Sequence, residues 1–189
     1  MAAHPNALSA DDVLDLPLTD DLIGYELVDG KPVPVTPASP THGGMVVEVA
    51  YRLMGHVEKA GLDGRVYVDA GFVLGLEADP ERMRAPDVSY VSRRKVEAHA
   101  DPERLFRCLP DLAVEIELTS GKKPGGQQRI VDYLEAGVPL VWAIDPRAAT
   151  ATVYRPDGSA RLLRTGDSLD GEEIVPGFGL PLARLFGQQ

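Results

Sequence analysis

Three acids occupy positions from which carboxylates could converge: Asp87 in "RAPDVSYV", and Glu115 and Glu117 in "AVEIELTS". Pro86 biases Ala85 toward extended geometry, so Asp87 opens a strand whose Val88 and Tyr90 can face a core. In the second stretch Leu112, Val114, Ile116 and Leu118 fall on one face, and Ala113, Glu115 and Glu117 on the other. Two convergent carboxylates with a backbone carbonyl and waters suit an octahedral Mg²⁺. A cation held there polarises a phosphoryl oxygen and lowers the pKa of a bound water, which is the chemistry of phosphodiester hydrolysis. A strand with glutamates along one face is also the ordinary pattern of a solvated face, and the spacing alone does not separate the two readings.

Other chemistries lack their motifs. "SGKKPGG" does not have the order of a phosphate-binding loop, no G-x-S-x-G elbow occurs, and the lone Cys108 has no histidine signature near it. His4, His42, His56 and His99 lie far apart, without metal-ligand spacing. One cysteine excludes an internal disulfide. The formal charge of −10 argues against a tight, non-specific grip on nucleic acid, although a local basic cleft would escape that count. The N-terminal "MAAHPNALSADD" has no signal-peptide pattern and no apolar run is long enough to span a membrane, so a cytoplasmic protein is expected.

The elements that must position the acids follow from periodicity. A chain of 189 residues suits one domain, expected here as an N-terminal helical extension over 1–20 and the main unit over 21–189. Ser9 is placed to cap the first short helix. "YELVDGKPVPV" predicts a hairpin turning at Asp29-Gly30. From Thr41 to Ala60 the residues Val46, Val49, Ala50, Leu53, Met54 and Val57 form a helical stripe, with Gly61 after its end. Strands are expected over 65–69, 72–76, 87–91 and 112–118, and a helix over 126–136 that Gly137 ends. "VPLVWAID" reads as a strand buried on both faces, and "ATVYRPDGSARLL" as a hairpin turning at Asp157-Gly158. "LPLARLF" closes the core or lies in an interface. The sum is an α+β, or mixed α/β, domain with a central mixed β-sheet flanked by helices.

In order along the chain, "YELVDGKPV", "SPTHGGMVVEVAYRL", "RAPDVSYVS", "PDLAVEIE", "YLEAGVPLVWAIDP" and "PGFGLPLARLF" resemble the Uma-type "putative restriction endonuclease" family, within the PD-(D/E)XK nuclease superfamily. The resemblance runs from Tyr25 to Phe186. It implies a restriction endonuclease-like αβββαβ core, a DNA substrate and a divalent metal, Mg²⁺ or Mn²⁺; a homodimer is common among such folds.

Carried over residue by residue, the resemblance makes Asp87 and Glu115 metal ligands, joined by the carbonyl of Ile116. The superfamily lysine two residues after the acid is here Glu117, a reversal of charge. The family's basic residue on the following helix, one turn before the tyrosine of "Y..AG", falls on Arg129, ahead of Tyr133. Arginine stays charged at any working pH, so Arg129 can orient water or stabilise charge but cannot act as a general base. Lys122 and Lys123 are read as a solvated turn or as phosphate contacts. Glu48 is a surface acid or a third site acid, and His42 a helix-start residue or a catalytic one. Tyr133 and Trp142 are assigned to the core. Three functions follow: a Mg²⁺-dependent endonuclease, a degenerate member that binds a partner or nucleic acid without cutting, and an acid/base enzyme working on a small molecule through its paired carboxylates.

Overall fold

The computed structural model describes residues 8–116 and 126–187. After a 3-10 turn at Asp11–Asp15 come β1 (Gly24–Val28), β2 (Lys31–Val35), α1 (Pro40–Lys59), β3 (Arg65–Val68), β4 (Phe72–Val73) and β5 (Met83–Arg84). They are followed by β6 (Val88–Val91), α2 (Arg93–Ala98), β7 (Leu112–Ile116), α3 (Gly126–Ala136) and β8 (Leu140–Asp145). β9 (Thr150–Tyr154), β10 (Ala160–Arg164), β11 (Ser168–Asp170), β12 (Gly179–Pro181) and α4 (Leu182–Phe186) complete the order.

The central sheet runs β10-β9-β8-β7-β6-β3. Its strands are antiparallel except β7 and β8, which are parallel and joined through α3. That makes the mixed sheet expected from the sequence, with α1, β3, β6, β7, α3 and β8 giving the αβββαβ order. A second sheet, β2-β1-β5-β4, was not foreseen. Its β4 and β5 have two residues each, too few for a period to show. The expected strand over 72–76 is accordingly cut to Phe72–Val73.

Local chemistry explains the element ends. Asp29 and Gly30 both hold positive φ (51° and 68°), as a two-residue hairpin turn requires. Ser39 caps α1, its Oγ accepting from the His42 amide at 3.2 Å, and Pro40 sits where its missing N–H costs nothing. At the other end Gly61 takes φ +67°, and the Leu62 amide returns to the Val57 carbonyl at 2.9 Å. Ser9 accepts from the Asp12 amide at 3.3 Å, although the turn itself starts one residue later than that cap implies.

Both faces of the central sheet are covered. Leu112, Val114 and Ile116 pack with α1 residues Val46, Val49 and Leu53 and with Trp142, while Ala113 packs with Ile130 and Tyr133 of α3. Met54, expected in the buried stripe, is 52% exposed. It lies on the line flanking the buried one, with the exposed Val47 and Tyr51. No helix among the described residues is long and apolar enough to cross a membrane.

Candidate active site

β6 and β7 are antiparallel neighbours, and the pairing of Val88 with Val114 carries Asp87 to the position opposite Glu115. The alternation that buries the two valines on the α1 side turns both acids toward α3. Asp87 is 1% exposed and Glu115 fully buried, so the glutamate face is not wet. The β7 side that carries Glu115 is roofed by α3.

Each carboxylate oxygen meets a protein donor. The Ile116 amide donates to Asp87 Oδ2 at 2.6 Å, and His42 Nε2 lies 3.3 Å from Asp87 Oδ1. Tyr133 Oη donates to Glu115 Oε1 at 2.7 Å, and Arg129 Nη1 approaches Oε2 at 3.4 Å. Arg129 and Tyr133 reach the same carboxylate because four residues along a helix bring side chains onto one face. Burial raises the Tyr133 pKa and the Glu115 charge raises it further, so the phenol stays neutral and can donate. For Arg129 burial opposes the charge, but Glu115 and Glu26 outweigh it and move the pKa up. The guanidinium is a fixed cation.

Arg129 also donates to Glu26, a residue of β1 that the sequence reading passed over. The pairing of Leu27 with Met83 sets Glu26 opposite Arg84 on β5, and Arg84 Nη1 donates to Glu26 Oε2 at 2.8 Å. Arg84 reaches Asp132 of α3 as well, at 2.6 Å. Arg82 joins Asp132, Asp79 and the turn residue Asp29. Four elements thus meet through buried charge. The alternation of Arg82 and Arg84 about Met83, and the i, i+3, i+4 spacing of Arg129, Asp132 and Tyr133, were visible in the sequence. Their partners were not, since Glu26 and Arg129 lie 103 residues apart.

A cleft of about 100 Å³ opens over this network, lined among others by Tyr25, Val35, Asp69, Ala85, Asp87 and Arg129. Asp87 and Arg129 therefore have access to a ligand, and Glu115 stands behind them. His42, left open between helix packing and catalysis, belongs to the site through Asp87. Its Nδ1 is buried without a hydrogen-bond partner among the described residues. Glu48 does not belong: it pairs with Arg52 at 2.8 Å and with Arg184 of α4 at 3.2 Å. Trp142 is a core residue, as expected. Glu117, Lys122 and Lys123 lie outside the described residues. Ile116 contributes its amide to Asp87, and its side chain belongs to the α1-side core.

Among the described residues no three His, Cys, Asp or Glu side chains form a cluster able to hold a metal ion. The donor set at hand is two register-opposed carboxylates. Two such carboxylates suit Mg²⁺, which keeps several waters and binds through one or two carboxylates.

The fold is similar to that of a solved structure described as a putative nuclease belonging to DUF820 from Anabaena variabilis. The two superpose with a TM-score of 0.77 over 95% of this chain and 98% of the other, at 20% sequence identity. No curated protein matches. Residues 10–183 match the model of the family described as "Putative restriction endonuclease", and the chain belongs to that family, Uma2.

Proposed function

We propose that this chain is a metal-dependent endonuclease acting on DNA in the cytoplasm, with Asp87 and Glu115 holding one Mg²⁺ or Mn²⁺. The observation that carries the reading is the register: two carboxylates face each other across β6 and β7, and one of them opens into the cleft. The carbonyl of Ile116, at the edge of the same site, is the third ligand in this proposal. When bound, such an ion supplies Lewis acidity at the phosphoryl oxygen and a bound water of lowered pKa.

The chain's own residues do the rest. His42 holds one Asp87 oxygen and the Ile116 amide the other, which fixes the carboxylate before a ligand arrives. Tyr133 and Arg129 fix Glu115 in the same way. Arg129 lines the cleft and keeps its charge, so it binds a phosphate oxygen and stabilises the charge that develops there. It takes no proton.

A second reading is favoured by the same contacts. Because all four oxygens of Asp87 and Glu115 already accept protein donors, a chain that keeps the fold and binds without cutting fits as well. Calorimetric titration with Mn²⁺, followed by plasmid cleavage, separates the two. The nuclease reading expects one Mn²⁺ per chain, loss of binding in Asp87→Ala, and cutting by the wild type that Glu115→Ala lacks. Binding with equal background cutting by both proteins leaves the binding reading, and no Mn²⁺ uptake at millimolar concentration removes the metal from both. A homodimer is part of the proposal, tested by sedimentation at micromolar concentration.

A further inference from the structure

Every exposed residue of α1 between Pro40 and Gly55 is uncharged, although this helix lies on the surface. Val47, Tyr51 and Met54 are 67%, 60% and 52% exposed, three large apolar side chains along one line. With Gly44 before them and Glu58 after, they stand 3, 4, 3 and 4 residues apart. That is the spacing of a seam that a second helix covers. The buried line of Val46, Val49, Leu53 and Val57 already holds α1 to its own sheet, so the seam is a separate apolar face. Gly43, Gly44 and Gly55 border it, and a Cβ added at any of them would meet nothing within 4 Å. No contact among the described residues therefore calls for glycine inside this helix, where it costs backbone entropy. Small residues there let a neighbouring helix come close.

The seam carries its own complement. In an antiparallel pair, Gly44 faces the partner's Met54 and Val47 faces the partner's Tyr51, and the twofold axis repeats both pairings. Each layer sets a smaller side chain against a larger one. In the same register Glu58 falls against the partner's Pro40, the first residue of its α1. Glu58 stands in the last turn of α1, where its charge opposes that helix's own dipole, and the first turn of α1 holds no acid. The pairing thus brings the carboxylate to the helix end that favours it. A parallel pair would set Gly44 against Gly44 and Glu58 against Glu58, like size and like charge. At the margin of the seam Glu48 and Arg52 are paired with each other at 2.8 Å, so they bring no uncompensated charge to it. We infer that α1 is the dimer interface of this chain, two copies packing antiparallel along Gly44, Val47, Tyr51 and Met54. The inference rests on the homodimer of the reading above, and on neither the metal nor DNA cleavage.

Sedimentation velocity of the full chain at micromolar concentrations should show a dimer. Val47→Ser/Tyr51→Ser leaves the charge unchanged and should raise the dissociation constant by more than about tenfold. Leu162→Ser removes an equally exposed apolar residue, 49% exposed on the edge strand β10, and should leave the dimer intact. All three positions are exposed, so the variants keep the fold, and a thermal melt verifies it. Cysteines then read the register in a Cys108→Ser background. Positions 44 and 54 lie roughly 15 Å apart along one helix, too far for a bond within a chain. Gly44→Cys/Met54→Cys should therefore give a disulfide-linked dimer on mild oxidation, and Gly44→Cys alone should not. A linked dimer from Gly44→Cys alone would mean a parallel pair and overturn the proposal. So would a dimer that survives Val47→Ser/Tyr51→Ser unchanged, which places the interface elsewhere and leaves the homodimer standing. A wild type that stays monomeric removes both the interface and the homodimer, while Mn²⁺ titration and plasmid cleavage still decide the nuclease reading.

Discussion

Replacing Arg129 with methionine is the most informative perturbation, because it removes a charge while keeping most of the volume. In the native protein the guanidinium is 4% exposed and shared by Glu26 (3%) and Glu115 (0%). At 3.4 Å and an effective dielectric near 20, its attraction to Glu115 alone is about 5 kcal/mol. Desolvation of the buried ions offsets much of this, so the intact network contributes little net stability. Taking away one member is different, since both carboxylates keep their burial cost and lose the cation they share. The expected loss is about 3–5 kcal/mol. For a chain of this size that lowers Tm by roughly 6–20 °C, within the range that a typical folded protein survives. Thermal and urea unfolding of the wild type and Arg129→Met, each in EDTA and in Mn²⁺, read the effect. Arg161→Met on the exposed edge of β10 is the control and should stay within about 0.5 kcal/mol of wild type. Mn²⁺ at about 100 times its dissociation constant adds about 2.7 kcal/mol to whichever form binds it. It should stabilise Arg129→Met more than the wild type, where the guanidinium competes for Glu115. A loss below about 1 kcal/mol, or equal Mn²⁺ shifts in both proteins, would refute this account of Arg129.

Arg129→Lys keeps a cation but gives up the planar fork shared by two carboxylates, so it should lose stability yet raise Mn²⁺-dependent plasmid cutting above wild type; unchanged cutting would show that arginine is not the weak point. Ser89 is fully buried, and its hydroxyl has no hydrogen-bond partner among the described residues. Ser89→Ala should therefore gain up to about 1 kcal/mol in urea unfolding. The hydrogen bond from Arg52, with Arg184 adding to it, lowers the Glu48 pKa. A carboxylate with a depressed folded pKa stabilises the fold above its unfolded value and loses that contribution as pH falls through the folded one. Glu48→Gln should thus cost up to about 1 kcal/mol at pH 7, a cost that fades as pH falls through the folded Glu48 pKa, measured as paired melts.

The sequence carried the core of the architecture because the strongest signals were local. The α1 stripe is continuous over about three turns, and Asp29-Gly30 and Asp157-Gly158 each name a turn by chemistry. The all-apolar run before Asp145 could only be buried. What escaped had either too few residues or partners too far along the chain. β5 is two residues long, yet it delivers Arg84 to Glu26 and Asp132. Glu26 sits in "YELVDG" as one polar residue among apolar ones, the pattern of any half-exposed hairpin. Its burial follows from β5 and α3 closing over it. Met54 misled because the stripe was read one position too wide, where the helix turns back to solvent.

The same network bears on why arginine stands at position 129. A lysine there would place one compact ammonium between Glu26 and Glu115, and a buried lysine surrenders its proton readily. Arginine can serve both carboxylates through different nitrogens, Nη1 toward Glu115 and Nη2 toward Glu26, without losing charge. The β1 hairpin is then fastened to α3 across the mouth of the site, and Arg84 fastens it again through Asp132. Such a double tie holds the cleft in one shape before any ligand enters, at the cost of a residue able to pass a proton. A relative with lysine at this position and no acid at the position of Glu26 would have the opposite balance, a looser cleft with a titratable base. Transplanting the pair as a unit, Arg129→Lys with Glu26→Gln, should accordingly restore more activity than either change alone, and simple additivity of the two would mean that Glu26 does not act through Arg129.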